Sequence, residues 1–307
     1  MTSAREAPPI RVGLATCAAL PNGDEDESLL ATALNDRGVD TEWVIWSASD
    51  PAAMGERFDT VVIRSTWDYV DDREAFVAWV EACAAPVWNP APVVRWNSDK
   101  RYMLDLLAAG VPTVPTQIVA TLNQDWSVSQ GCEEIVVKPA VGAGSRGAQR
   151  FRVADEIDEA RHHAGTIIDS GNTAVVQPYL ASVDTGSETA LIHIDGQFSH
   201  SVSKGPLLRR DGDGGGEWVE GLYLAEDIDH REVGEQQLVV ARAALEAAPP
   251  GDVLYARVDL VDDDNGAPMV LELELIEPSL FFSFNEGSAQ NMADAIVARI
   301  AAVTPEA

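Results

Sequence analysis

Between residues 10 and 96 short apolar runs alternate with amphipathic stretches. RVGLATC (11–17), TEWVIW (41–46), DTVVIR (59–64) and PVWNP (86–90) have the length and β-branched content of strands. Residues 28–37, closed by Gly38, and residues 73–85 carry the 3.6-residue apolar stripe of helices. Strands linked by single helices predict a parallel sheet with right-handed crossovers. In such sheets ligands bind beyond the carboxyl ends of the strands, where Arg64-Ser65-Thr66-Trp67-Asp68-Tyr69 falls.

The pattern then changes. SDKRYMLDLLAAG (98–110) predicts one capped helix, and Val111-Pro112-Thr113-Val114-Pro115 a stiff connector. TQIVA (116–120), EEIVVKPA (133–140), AQRFRV (148–153) and TAVVQPYL (173–180) predict strands around a helix at 155–170. Residues 189–205 predict a hairpin turning at Asp195-Gly196. A loop at 211–218 (DGDGGGEW), a helix at 231–248, strands YARVDLV (255–261) and MVLELEL (269–275), and a helix at 291–302 complete the chain. The fold class read from this order is α/β with α+β lobes, divided over 1–96, 97–178 and 179–307.

Composition narrows the partners. The 307 residues are 46% hydrophobic and 23% charged, which is ordinary for a globular chain. The net charge of −29 argues against nucleic acid or an anionic membrane as the main partner, because both need a basic footprint. Any anionic ligand must be held by local cations, and only three of the 21 basic residues are lysines: Lys100, Lys138 and Lys204. Cys17, Cys83 and Cys132, odd in number and far apart, point to a reducing compartment and no disulfides. LATC before Pro21 faintly resembles a lipoprotein cleavage box, but the apolar run is short and Arg11 abuts it, so a buried first strand is expected. No apolar run approaches the ~18–20 residues that cross a bilayer. A cytoplasmic monomer or homodimer is the expectation.

Gly142-Ala143-Gly144-Ser145-Arg146-Gly147 matches the string GxGxxG, yet strands rather than a strand and a helix flank it. The glycines therefore sit in a hairpin, whose amides can wrap phosphate. Protein kinases place their lysine after such a hairpin; here Lys138 precedes it and no HRD or DFG follows. The alternative, a plain surface hairpin, leaves Lys138 without a purpose inside the apolar strand IVVKPA. Farther on, Asp259, Glu272 and Glu274 interrupt two apolar strands, with Glu272 and Glu274 on one face and Arg257 and Asp259 likewise sharing one. Such carboxylates repel unless a cation sits among them, and hard oxygens suit Mg²⁺ or Mn²⁺. A solvated edge strand is the alternative.

Lys100, Lys138 before a glycine loop, VVQPYL, and R-x-D followed by E-x-E before a proline together resemble the ATP-grasp ligases, in the manner of glutathione synthetase and D-alanine–D-alanine ligase. STWDY, WNSDKRYML, VVKPAVGAGSRGA, SETALIHIDGQFSHSVSKGPLL and LELELIEPSL are most similar to the group that contains the D-cycloserine-forming ligase. The resemblance covers residues 60–290 and implies an N-terminal parallel-sheet domain, a mobile lid and a mostly antiparallel catalytic sheet.

It also implies roles. Lys100 and Lys138 would meet the α- and β-phosphates of ATP, and the amides of 142–147, with Gly142, Gly144 and Gly147, the β/γ end. Gln177, Pro178, Tyr179 and Leu180 would hold adenine, and Glu188, or else Asp184, the ribose. Lys204 would meet the γ-phosphate or the substrate carboxylate, Arg257 the transferring phosphoryl group, and Asp259, Glu272 and Glu274 two Mg²⁺ ions. Many relatives carry Asn at the Glu274 position. Arg64, Ser65, Trp67 and Asp68 would face an amino-acid-like substrate, unless that turn is merely structural, and Ser145, Arg146 and Ser279 the acyl phosphate. The implied reaction is carboxylate–amine ligation through an acyl phosphate, with carboxyl and amine from one molecule or from two. A nucleotide-binding module without turnover is the remote alternative. His193 and His200 are the candidate bases, although a histidine in a strand is more often structural.

Overall fold

A computed structural model describes residues 9–186, 188–208 and 218–303, so most of the glycine-rich loop read at 211–218 lies outside the described residues. The first lobe comprises β1 (Arg11–Thr16), α1 (Glu27–Asn35), β2 (Asp40–Ile45), α2 (Met54–Arg57), β3 (Thr60–Ser65), α3 (Arg73–Ala82) and β4 (Val87–Trp88). These strands form a parallel sheet in the order β2-β1-β3-β4, as the alternation predicts. Every residue of β3 is buried, so its register cannot slip without exposing Val61, Val62 and Ile63.

A helix that the sequence reading does not give, α4 (Ala91–Asn97), precedes the one expected over 98–110, which is confined to α5 (Tyr102–Ala108). The late start has a local cause. The Lys100 N–H donates to Ala140 O at 2.8 Å, and the Asp99 carboxylate accepts from the Arg101 N–H at 2.9 Å in the turn that precedes α5. Lys100 is therefore a turn residue, tied by its backbone to the start of the glycine hairpin.

The middle region contains β5 (Gln117–Val119), β6 (Glu134–Pro139), β7 (Gln149–Arg152), α6 (Ile157–Asp169) and β8 (Ala174–Pro178), with an antiparallel sheet ordered β5-β8-β6-β7. Its own core joins Ile135, Val137, Phe151 and Val176 of the sheet to Ala160 and Ala164 of α6. Beyond it come α7 (Ser182–Gly186), β9 (Glu188–Ile194), β10 (Gln197–Lys204), β11 (Trp218–Val219), β12 (Tyr223–Leu224), β13 (Ile228–His230), α8 (Glu235–Glu246), β14 (Tyr255–Asp262), β15 (Pro268–Glu274) and α9 (Ser288–Val303). The main sheet here is antiparallel, ordered β13-β10-β9-β14-β15, and Asp195-Gly196, both with positive φ, close the β9–β10 hairpin.

The first and last lobes share one core. Leu14, Leu34 and Val62 of the parallel sheet and α1 pack in a common cluster with Ile192, Tyr255 and Ile296. That shared core, with the Tyr255 hydroxyl donating to Ile63 O at 2.6 Å, fixes β3 against β14, while the middle region keeps a separate core.

Candidate active site

The pairing of β14 with β15 sets Arg257 opposite Glu274 and Asp259 opposite Glu272. Arg257 donates from Nε to Asp259 Oδ1 at 2.9 Å and from Nη2 to Glu274 Oε1 at 2.5 Å. Lys204, at the end of β10, reaches Asp259 Oδ2 at 2.8 Å, Glu188 Oε2 at 3.2 Å and Glu226 Oε1 at 3.3 Å. Lys100 pairs with Glu272 Oε1 at 2.9 Å and donates to Gly142 O at 2.6 Å, so one lysine spans the metal-type carboxylates and the glycine hairpin. Among the described residues Lys138 forms no ion pair.

The charges follow this wiring. Burial would depress Lys204, but Asp259, Glu226 and Glu188 raise its pKa well above the ordinary value. Burial also opposes Lys100, and Glu272 reverses it. Lys138 gets no such rescue: burial lowers its pKa. Glu272 stays ionised because Lys100 and Lys138 overcome its burial. Glu274 is pushed up by burial and by Asp259 and Glu272, despite Arg257.

Two adjoining cavities lie over this network. The first is lined by Lys100, Lys138, the 142–146 hairpin, Arg257, Glu274, Trp67 and Ser279, among others. The second is lined by Val136, Gln177, Pro178, Tyr179, Leu180, Glu188, Val261 and Leu271. Lys138, Ser145, Ala148, Lys204, Leu207 and Glu272 border both, so an apolar chamber opens into a charged one across two lysines. The hairpin roofs the junction. Gly144 has φ +59°, and a Cβ there would come within 2.5 Å of Leu222 O, so the backbone lies directly on the β12 segment. Ser145 adopts φ 62° beside it, and Arg146 pairs with Asp71 of the first lobe at 3.0 Å.

Several residues fall elsewhere than the sequence reading puts them. Arg64 does not border the cavities: it is buried against Glu27 at 2.6 Å and donates to Pro278 O at 2.8 Å. Asp68 accepts from Trp46 Nε1 at 2.6 Å, and Ser65 Oγ from the Asp24 N–H at 3.1 Å; both are structural contacts at the strand end. Trp67 and Ser279 do line the first cavity. Asp184 accepts from Tyr179 Oη at 2.6 Å and pairs with Arg150 at 3.0 Å outside the second cavity, which Glu188 borders. Gly147 O meets His163 Nε2 at 2.8 Å, and Asp259 lies 1% exposed beneath the cavity floor. His193 and His200 border neither cavity; His200 Nε2 is within 3.1 Å of Leu280 O and Phe281 O, and burial lowers His193 to about 4. The sequence reading missed Glu226, Glu277 and Tyr223 in the cavity wall, and gave Tyr69 no role although it named the segment that holds it. Glu277 was findable, as the third acid of ELELIEP; Tyr223 and Glu226 follow the glycine-rich loop with no local signal.

Among the described residues no three His, Cys, Asp or Glu side chains converge as a ready metal cage, because Lys100, Lys204 and Arg257 take up the carboxylate oxygens. The donor chemistry nevertheless suits a hard divalent ion: Glu272 and Glu274 face one cavity, and the crowding that raises Glu274 is relieved by added positive charge.

A lysine-lined junction under a glycine hairpin, between two antiparallel sheets, defines a nucleotide-dependent ligase of the ATP-grasp fold. A family model described as D-cycloserine synthetase DcsG, N-terminal domain, matches residues 12–89. The chain is 34% identical over 291 residues to the cycloserine biosynthesis protein DcsG of Streptomyces lavendulae, covering 90% of this chain and 94% of that relative. It resembles the crystal structure of D-cycloserine synthetase DcsG with a TM-score of 0.84 at 33% identity, over 94% of this chain and 99% of that one. D-alanine–D-alanine ligase from Bacillus anthracis shares the fold, with a TM-score of 0.67 at 15% identity over 96% and 98% of the two chains. The chain belongs to the D-cycloserine synthetase family, and it is an ATP-dependent ligase that forms amide bonds.

Proposed function

We propose that this ligase closes an amide ring within one small amino acid, because its relatives are named for making cycloserine, which is a cyclic amide. Opening the amide of a cycloserine ring returns a serine whose side-chain oxygen carries nitrogen, bare or as a ureido group. The carboxylate attacks the γ-phosphorus of ATP, giving an acyl phosphate and ADP. The nitrogen then attacks the acyl carbon, the C–O bond to phosphate breaks, and the nitrogen loses a proton. For a ureido nitrogen, one water removes the carbamoyl group as carbamate.

In this reading adenine occupies the apolar chamber against Gln177, Tyr179 and Leu180, with Glu188 on the ribose. The phosphates cross the junction between Lys138, Lys100 and the amides of 142–147. Arg257 and Lys204 neutralise the oxygens around the transferring phosphoryl group, and Ser145, Arg146 and Ser279 flank the acyl phosphate. Glu272, Glu274 and the underlying Asp259 would hold Mg²⁺, which neutralises phosphate charge when bound. Residues 97–178 act as a lid that keeps water from the acyl phosphate, between a substrate domain at 1–96 and a catalytic one at 179–307.

The observation that carries the reading is the continuous passage from the apolar chamber to the charged one across Lys138 and Lys204. The test is ADP release with Mg-ATP and O-ureido-D-serine alone, then with amino acids in pairs. Release with the single compound, and a ring product by mass spectrometry, is expected. A strict need for two amino acids would replace cyclisation by intermolecular ligation, and no release with any amino acid would remove the amino acid from the reading.

A further inference from the structure

Each acidic side chain lining the first cavity can be asked what balances it. Glu272 has Lys100 at 2.9 Å, Glu274 has Arg257 at 2.5 Å and Glu226 has Lys204 at 3.3 Å. Glu277 lines the same cavity, is 6% exposed, and has no cation within ion-pair distance among the described residues. Burial, with Glu274 next, raises its pKa to about 8. The backbone around it is pinned on both sides. Ile276 O accepts from Tyr255 Oη at 2.7 Å, Pro278 O from Arg64 Nη2 at 2.8 Å, and Ser279 O from Arg257 Nη1 at 3.3 Å. The carboxylate therefore cannot swing out to solvent, and a buried carboxylate without a partner is costly.

The identity of the missing partner follows from the surroundings. Glu277 borders only the charged chamber and not the apolar one, so it stands apart from the nucleotide end. Of the other side chains in that chamber, Trp67, Tyr69, Tyr223 and Phe281 present aromatic rings, and Tyr69 feels Glu277 as its foremost charged neighbour. A carboxylate in an aromatic-walled chamber is a receptor for a small organic ammonium ion.

We propose that Glu277 receives the α-ammonium group of the substrate and makes the enzyme specific for an α-amino acid over its desamino counterpart. This rests on the amino-acid cyclisation reading above.

The test compares wild type with Glu277→Gln on two substrates, O-ureido-D-serine and 3-(ureidooxy)propanoic acid, which lacks only the amine. The amide is isosteric, and thermal unfolding checks the fold. Wild type should prefer the amino compound. In Glu277→Gln that preference should shrink ~30-fold or more through KM for the amino compound, while KM for ATP and turnover of the desamino compound hold. An unchanged preference, or an equal loss on both compounds with a shifted Mg²⁺ requirement, overturns the inference and leaves cyclisation standing.

Calorimetric binding of D-cycloserine and of 3-isoxazolidinone, the ring without the amine, provides a readout independent of turnover. If wild type releases no ADP yet discriminates the two rings through Glu277, cyclisation falls and the ammonium site stands. Equal binding of both rings by wild type and variant overturns the site.

Discussion

Arg64 and Glu27 form a buried ion pair, with Nη2 2.6 Å and Nε 2.9 Å from Oε1 and side-chain exposures of 0% and 3%. The same guanidinium donates to Pro278 O, so this pair fastens the end of β3 to the segment that follows β15. Its role is to hold two lobes in register, and the substrate role that the strand-end position suggests is not supported by the geometry. Removing Arg64 leaves a carboxylate buried without its cation. Arg64→Ala should therefore lower stability by about 3–5 kcal/mol in urea unfolding. Arg64→Met combined with Glu27→Leu should recover most of that loss. An Arg64→Ala protein of unchanged stability with a raised KM for the amino acid would return the residue to the substrate site.

The lysines should part company on substitution. Among the described residues Lys138 has no ion pair, and burial lowers its pKa, so Lys138→Met should leave the ligand-free protein as stable as wild type or more so, while ADP binding weakens ~30-fold or more. Lys204 joins Asp259, Glu188 and Glu226, and Lys204→Met should cost about 3–5 kcal/mol because those acids lose their shared cation. Thermal unfolding with and without ADP separates the two. Equal destabilisation by both would mean that Lys138 has a structural partner.

Gly144→Ala tests the roof of the junction. The new Cβ would meet Leu222 O and the Tyr223 Cβ at 2.5 Å, at a φ of +59° that already disfavours any side chain. The hairpin has to lift, and kcat should fall about 10–100-fold with KM for the amino acid little changed. A kcat within twofold of wild type would show that the closed contact with β12 is dispensable.

Asp26 gives a pH signature at the edge of the shared core. Burial, then the neighbouring Glu27, raises its pKa to about 6. The folded state thus holds this proton where the unfolded state has lost it, and stability falls as pH rises from about 4 to 6. Asp26→Asn should gain about 1–3 kcal/mol over wild type above pH 7, and the gain should vanish below pH 4. Chemical denaturation at pH 4 and pH 8 reads this directly; an equal effect at both pH values would mean that charge is not the cause.

Much of the site was legible before any coordinates. The glycine string between two strands, Lys138 inside an apolar run, and R-x-D with E-x-E on adjacent strands pointed to the junction, because strand periodicity alone decides which side chains share a face. The late start of α5 was not legible: residues 98–110 have helical composition throughout, while the Lys100 N–H is committed to Ala140 O rather than to a helix. Asp68 was misread for a related reason, since its indole partner Trp46 is 22 residues away on another connection. Glu277 was passed over because the alternation of β15 ends before it, and a pinned turn rather than a strand aims it into the cavity.

By itself the sequence determined the elements, the parallel first sheet, the phosphate-type hairpin and the set of charged residues near it. These follow from steric periodicities and turn chemistry that act over a few residues. Tertiary structure alone decided which charge neutralises which: Lys204 with Asp259, 55 residues on, Arg64 with Glu27, 37 residues back, and Glu277 with no cation among the described residues. Coulomb energy depends on separation in space and on burial, and neither is encoded by spacing along the chain.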